Sequence, residues 1–311
     1  AQIVFLPGGF SGGDEPDGSA KLITAFFRSA AVREQVTALC STPSAKAKLA
    51  EEGFSTSADE IERRLSLMNE MRSLLMLERD FPDGDYPDPA PLVAKIRVEG
   101  SYLLAAEADQ LRKALVTVGA IAEFILGRGG AHYPRLWELS RRVTLFPEIV
   151  RAIDAILDDR GEVKDSASPE LQQVRRAIRE REGQAAKRLQ QVLQRAKQAG
   201  IVDADAVLSV RDGRPVIPVA AANKRKLQGF IHDESATGRT FYVEPVEVVE
   251  INNELKELEY AERREVVKVL SAFTESIRLD AEAIADAGDY LSSVDMIRAK
   301  ARWALANDAG K

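Results

Sequence analysis

The chain has 311 residues, 45% hydrophobic and 30% charged, long and apolar enough for two or more globular units with real cores, which excludes a disordered polymer. Its 43 Lys and Arg against 49 Asp and Glu give a net charge of −6, which excludes a protein that coats nucleic acid with its whole surface, so any such binding must be local. With no apolar run of about 18 residues, no signal-peptide features at AQIVFLPGG, and only Cys40 and two histidines, no membrane span, export, disulfide or metal site is expected, and the reducing cytoplasm is the predicted home.

In chain order, the first predicted helix runs from Ser57 to Met76, with Ser57 as N-cap, Glu60 three residues on, and Ile61, Leu65, Met68 and Leu75 at helical spacing. The four prolines of FPDGDYPDPAP, Phe81 to Pro91, then break the pattern. A second helix is predicted at about Ala105 to Leu126, with Leu111, Leu115, Val118, Ala122 and Ile125 on one face and GRGG as its stop. Leu136 to Leu157 reads as one or two short helices around Pro147, and Asp158 to Ser168 as a polar connector. Ser168-Pro169 then opens a helix to Gly200, with Ser168 as N-cap and Pro169 at its first position. Leu171, Val174, Ile178, Ala185, Leu189, Val192 and Ala196 mark its apolar stripe, and its roughly 30 residues span about 45 Å.

At Val207 the pattern changes. VLSVRDGRPVIPV carries β-branched residues around Asp212-Gly213, a strong hairpin signal, and LQGFIHDESATGRTFYVEP reads as two further strands. From Pro245 a helix of about 40 residues is predicted, striped by Val248, Ile251, Leu255, Leu258, Val266, Val269, Phe273 and Ile277. The expected fold class is mainly α: a helical core, two long antiparallel helices, one outgoing and one returning, and a small β tip. Such an arm suits reaching around a large partner, and it equally suits an inert spacer or a dimerising coiled coil.

Charge is clustered. From Arg175 to Lys197 stand eight cations (Arg175, Arg176, Arg179, Arg181, Lys187, Arg188, Arg195, Lys197) against Glu180 and Glu182, which reads either as a solvated helix face or as a phosphate-binding one. Lys224-Arg225-Lys226 lies in a loop between two predicted strands, which reads either as a tip whose three cations can meet phosphates without being buried or as an ordinary solvated loop. The candidate nucleic-acid-binding residues are therefore Lys224, Arg225 and Lys226, with Arg211 and Arg214 beside the hairpin turn and Lys187, Arg188 and Arg195 on the long helix. His232-Asp233 could orient a base, but neighbours on a strand point to opposite faces, so structural hydrogen bonding is the expected role and no catalytic residue is assigned. Glu250, Glu254, Glu257, Glu259 and Glu262 share a helix with Lys256, Arg263 and Arg264 at i,i+4-like spacings, which favours a solvated helix face over a metal cluster. Asn252 and Asn253 interrupt the apolar stripe and are candidates for fixing the register of the helix pair.

The stretch Gly213 to Glu265 resembles the signature of the bacterial type-two MutS family: G-R-x-V-I-P-V, a basic loop, G-x-x-H-D-x-S-x-x-G-x-T-x-x-x-E-P, then N-N-x-L-x-E-L-E. Gly213, Arg214, His232, Asp233, Ser235, Gly238, Thr240, Glu244, Pro245, Asn252, Asn253 and Glu257-Leu258-Glu259 fit it. VDMIRAKARWA, Val294 to Ala304, resembles the family's re-entry into its core, and Phe81 to Leu103 resembles its core in the Bacteroides lineage. Ile3 to Arg28 instead resembles a strand-loop-helix piece of formylglycinamidine ribonucleotide synthase, without that enzyme's nucleophilic cysteine setting.

The resemblance implies a division into a foreign or fused segment at 1–36, a helical core at 37–157, an outgoing lever at 158–206, a clamp at 207–245 and a returning lever with core re-entry at 246–311. It implies a non-catalytic core and clamp that binds the backbone of duplex or branched DNA, in a homodimeric ATPase and endonuclease of recombination control or DNA repair. A ribosome-binding arm of a ribosome-rescue factor and a purely structural dimer scaffold are the alternatives. No G-x-x-x-x-G-K-S/T occurs, so ATP and magnesium are expected only in an ATPase domain that this stretch does not contain, and no cofactor is expected here.

Overall fold

The computed structural model describes residues 30–53 and 55–309; the Ile3 to Arg28 stretch with its expected foreign segment lies outside the described residues. The chain forms two compact units, one of Ala1–Glu162 with Leu270–Lys311 and one of Val163–Val269. The fold is mainly α with one small four-stranded antiparallel sheet among the described residues, the class expected.

The first unit contains α1 (Ala30–Leu39), α2 (Pro43–Glu51), α3 (Ala58–Leu77), α4 (Ala90–Ile96), α5 (Ala105–Arg128), α6 (Pro134–Ser140) and α7 (Pro147–Ile156), together with the last helix of the chain. Ser57 caps α3 through its hydroxyl, which accepts from the Glu60 N–H, as the sequence pattern predicts. The buried side of α3 is Leu67, Met68, Met71 and Leu74, whereas Ile61, Leu65 and Leu75 are only half-buried. The expected stripe is therefore shifted: apolar residues surround the end of α3 on every side, so spacing alone could not choose the face. On α5 all five expected residues are buried, and Gly129 ends the helix at a φ of 76° that an L side chain resists.

Next come α8 (Pro169–Gln198), the strands β1 (Ser209–Arg211), β2 (Arg214–Ala220), β3 (Gly229–Glu234) and β4 (Thr240–Pro245), then α9 (Val246–Ser276) and α10 (Ala281–Ala306). The helix expected to run about 40 residues from Pro245 stops at Ser276, because Arg278 donates to the carbonyls of Ile96, Val98 and Ser101 and holds a turn of 3₁₀ helix at Arg278–Asp280. That stop is tertiary, with neither Gly nor Pro to announce it.

Helix α10 runs through the main core. Its Ala287, Tyr290, Leu291, Val294, Ile297, Ala301 and Ala304 pack with the buried face of α3 and with Ala114, Val118, Ile121, Ala122 and Ile125 of α5. Each fully buried Leu or Ile there contributes about 1.5–3 kcal/mol. Within the VDMIRAKARWA stretch two polar residues, Asp295 and Arg298, are as buried as the apolar ones. Arg298 and Asp295 are both 0% exposed and pair at 2.8 Å. Arg298 also donates to the Gly84 carbonyl at 2.6 Å and the Ser41 hydroxyl at 2.7 Å and lies 3.8 Å from the Tyr86 ring centre, while Asp295 accepts from the Thr42 N–H and hydroxyl. The pair thus ties α10 to two irregular segments that could not otherwise satisfy their backbone groups.

Candidate nucleic-acid interface

The second unit is built around its sheet, ordered β1-β2-β4-β3, every neighbour antiparallel. Asp212 and Gly213 close the β1–β2 hairpin with φ of 49° and 73°, the double left-handed turn that a two-residue hairpin loop demands. One face of the sheet is apolar. Ile217, Val219 and Val243 pack there with Leu189, Val192, Leu193 and Ala196 from the last turns of α8 and with Leu227 and Val248. The β2–β3 connection is fastened to the end of α8, where the Asn223 amide donates to the Gly200 and Ile201 carbonyls at 3.4 and 3.0 Å. The Lys224-Arg225-Lys226 loop therefore lies beside the C-terminal end of α8.

The other face carries a polar knot centred on Glu244, whose side chain is 1% exposed. Arg214 donates to both of its oxygens at 2.8 and 3.0 Å, His232 Nε2 lies 2.6 Å from Oε2, and the Asn252 amide donates to Oε1 at 2.6 Å. Arg214 also donates to the Asn253 side chain at 3.0 Å. Burial pushes the Glu244 carboxyl up, but the hydrogen bonds from Asn252, His232 and Arg214 outweigh it and hold the carboxyl below the usual glutamate range. Asn252 and Asn253 thus fix the start of α9 onto the sheet, where the sequence offered them as a register device between helices. His232 and Asp233 serve different partners across a bulge in β3, Asp233 accepting from Arg211 at 2.8 Å.

Helices α8 and α9 run antiparallel within this unit, since Arg175 reaches Glu262 at 2.7 Å while Arg181, further along α8, reaches Glu254 at 2.8 Å, earlier on α9. These pairings sort the cations of α8 into two sets. In its first half Arg175 and Arg179 hold Asp165, Arg176 holds Glu180, and Arg181 holds Glu254. From Gly183 to Gly200 there is no acid, and among the described residues no ion pair engages Lys187, Arg188, Arg195 or Lys197. The run Gly213 to His232 is also free of acids. In it Lys224, Arg225 and Lys226 are exposed, and among the described residues the one side-chain partner of the three is the Phe241 ring, 4.5 Å from Lys224.

Of the eight residues expected to bind nucleic acid, Lys187, Arg188, Arg195, Lys224, Arg225 and Lys226 are exposed cations without acid partners among the described residues. Arg214 is turned inward onto Glu244, and Arg211 is stacked 3.8 Å above the Tyr242 ring and paired to Asp233. No group of His, Cys, Asp and Glu among the described residues could hold a metal ion, and no described helix is long and apolar enough to cross a membrane.

No protein-family model matches the chain. Its relatives do. It is 30% identical to an endonuclease MutS2 of Bacillus velezensis over 282 residues, 90% of this chain and 36% of that protein. It is 32% identical to an endonuclease MutS2 of Pelotomaculum thermopropionicum over 79% of this chain and 31% of that protein, and 36% identical to one from a Geobacillus strain over 55% and 22%. The chain belongs to the MutS2 family. It spans about a third of the length of the curated relatives it matches.

Membership gives the signature residues a physical meaning. Arg214, His232, Glu244, Asn252 and Asn253, far apart along the MutS2-like stretch, meet in one knot. Gly229 is required beside it, since a Cβ there would collide with the Glu244 carbonyl oxygen and the Val243 side chain. Sequence reasoning missed Glu244 as the hub. The available signal was a lone acid at the end of an apolar strand, followed some two helical turns later by two asparagines. It also missed that half of the α8 cations are neutralised, which needed Asp165 and the acids of α9 to be placed in space.

Proposed function

We propose that the second unit of this MutS2-family chain binds nucleic acid, DNA foremost, through the phosphate backbone and without base preference, as the gripping part of a larger protein. The observation that supports this is the sorting of its cations: Lys187, Arg188, Arg195, Lys224, Arg225 and Lys226 are exposed, have no acid partner among the described residues and lie in acid-free stretches, in a chain whose net charge is −6. Exposed unpaired cations bind phosphates by releasing condensed counterions, at no cost in broken ion pairs. The Glu244 knot keeps the sheet rigid while leaving these cations outside it. The relatives carry the name endonuclease. This stretch has no phosphate-loop motif and the one histidine-carboxylate contact among the described residues, His232 to Glu244, is engaged in holding the sheet, so the reading assigns it binding and neither nucleotide turnover nor strand cleavage.

The test is binding of the chain to duplex DNA, four-way-junction DNA and purified ribosomes side by side, with magnesium and ATP turnover followed in the same preparation. The expected result is DNA binding that weakens steeply with salt, no dependence on base sequence and no turnover. Tight binding to ribosomes without DNA binding would move the reading to a ribosome-held arm, and binding to neither would leave a structural spacer.

A further inference from the structure

We propose that Phe230 is a base-stacking residue, so that the sheet of the second unit prefers nucleic acid with unpaired bases to continuous duplex. This rests on the nucleic-acid reading above and adds to it the kind of strand that is held. β3 is an outer strand of the sheet, and on it Phe230 and Ile231 are 59% and 51% exposed. The other aromatic residues of the sheet are covered, Phe241 by the Lys224 ammonium and Tyr242 by the Arg211 guanidinium. Among the described residues no ring or cation covers Phe230.

Its direction is fixed. Gly229 lies so close to β4 that no Cβ fits, and Phe230 pairs with Glu244, the most constrained side chain of the sheet. With the backbone fixed in this way only the two side-chain torsions of Phe230 are ordered on stacking, which keeps the ordering cost of binding low. The cations are at hand as well. Phe230 follows Lys226 by four positions, which bounds their distance at about 14 Å, the length of about four stacked nucleotides at 3.4 Å each. The stretch Gly213 to His232 has no acid, and the two acids on the face of Phe230, Asp233 and Glu244, are paired with Arg211 and Arg214. Cations for the backbone with a free ring for the base are the groups by which single strands are held, because every base presents a π face. In an intact duplex those faces are already stacked on one another, and a ring reaches them only by opening a step.

The experiment measures binding of the full chain, its Phe230→Ala, Phe230→Leu and Phe230→Tyr variants, to a single-stranded oligonucleotide in DNA and RNA form and to a blunt duplex of the same length. One strand carries 2-aminopurine to report stacking. Wild type should bind the single strand more tightly and change the 2-aminopurine emission. Phe230→Ala should weaken single-strand binding roughly 5- to 150-fold, the range that stacking of one base supplies, while duplex binding changes less than about twofold. Phe230→Tyr should keep the wild-type affinity and Phe230→Leu should not. Should Phe230→Ala fail to fold by circular dichroism, the Leu and Tyr pair decides instead. Equal loss on duplex and single strand, no loss on either, or loss of self-association by sedimentation in place of nucleic-acid affinity would overturn the proposal while leaving the backbone-binding reading standing. A wild type that binds neither strand form would overturn both.

Discussion

Each unit of the chain is organised around one buried arginine–carboxylate contact, and the two contacts are set differently. In the first unit Arg298 and Asp295 are both 0% exposed and lie within reach of a large apolar core spread over three long helices. In the second, Glu244 is 1% exposed but its Arg214 is 23% exposed, and the core beneath the sheet contains ten buried residues. The large core could seal a charge pair completely and use it to anchor irregular segments. The small sheet depends on polar bonds for its shape, and the rest of its charge stays outside. Buried charge in the first unit serves packing, whereas most of the charge in the second stays at its surface.

The largest expected effect is on the sealed pair. Arg298→Ala leaves Asp295 buried without its partner, and the first unit should lose about 3–5 kcal/mol in urea unfolding. Trp137 and Trp303 are the chain's two tryptophans and both lie in the first unit, so their fluorescence reads that loss directly. The open knot should cost less: Glu244→Ala removes one buried acceptor and unpairs three donors, for about 1–3 kcal/mol, seen as faster amide exchange in β2 to β4 with the tryptophan transition unmoved. A tryptophan transition that shifted with Glu244 would erase the distinction between the units.

The pH dependence sharpens the same contrast. The folded Glu244 carboxyl sits below the ordinary glutamate value, so its contribution is fully present above that value and is lost as pH falls through the folded one. Amide protection in the sheet should therefore decline as pH falls below about 4.3, and Glu244→Gln should flatten that decline. The smallest effect is expected on α8. Arg176→Ala removes an exposed pair with Glu180 and should change stability by no more than about 1 kcal/mol in thermal unfolding.

What was legible in the sequence follows the range of the interactions. Ser168-Pro169 at the start of α8, Asp212-Gly213 in the hairpin and Gly129 after α5 act through their own or adjacent backbone, and the structure places each at the expected boundary. The end of α9 is set by Arg278 reaching carbonyls some 180 positions earlier in the chain, and no local residue announces it. The candidate site divides in the same way. An unbroken cation triplet at 224–226 is visible as composition, whereas the inward turn of Arg214 depends on Glu244 and Asn253, each on a different element. Along α8 the sequence shows acids only beside the first-half arginines, with Glu180 one turn from Arg176, but the engagement of Arg175, Arg179 and Arg181 depends on the placement of Asp165, Glu254 and Glu262.

The slope of log affinity against log salt for duplex DNA reads the separation of paired from unpaired cations in one measurement. Two triple variants are compared with wild type, Lys224→Ala with Arg225→Ala and Lys226→Ala, and Arg175→Ala with Arg176→Ala and Arg179→Ala. Replacing the unpaired loop cations should lower the slope by roughly 2 to 3 units, about 0.9 for each phosphate no longer neutralised, with affinity falling alike on every base sequence. Replacing the neutralised arginines should leave the slope unchanged. Equal slopes in the loop variant and wild type, or an equal drop in both variants, would contradict the account.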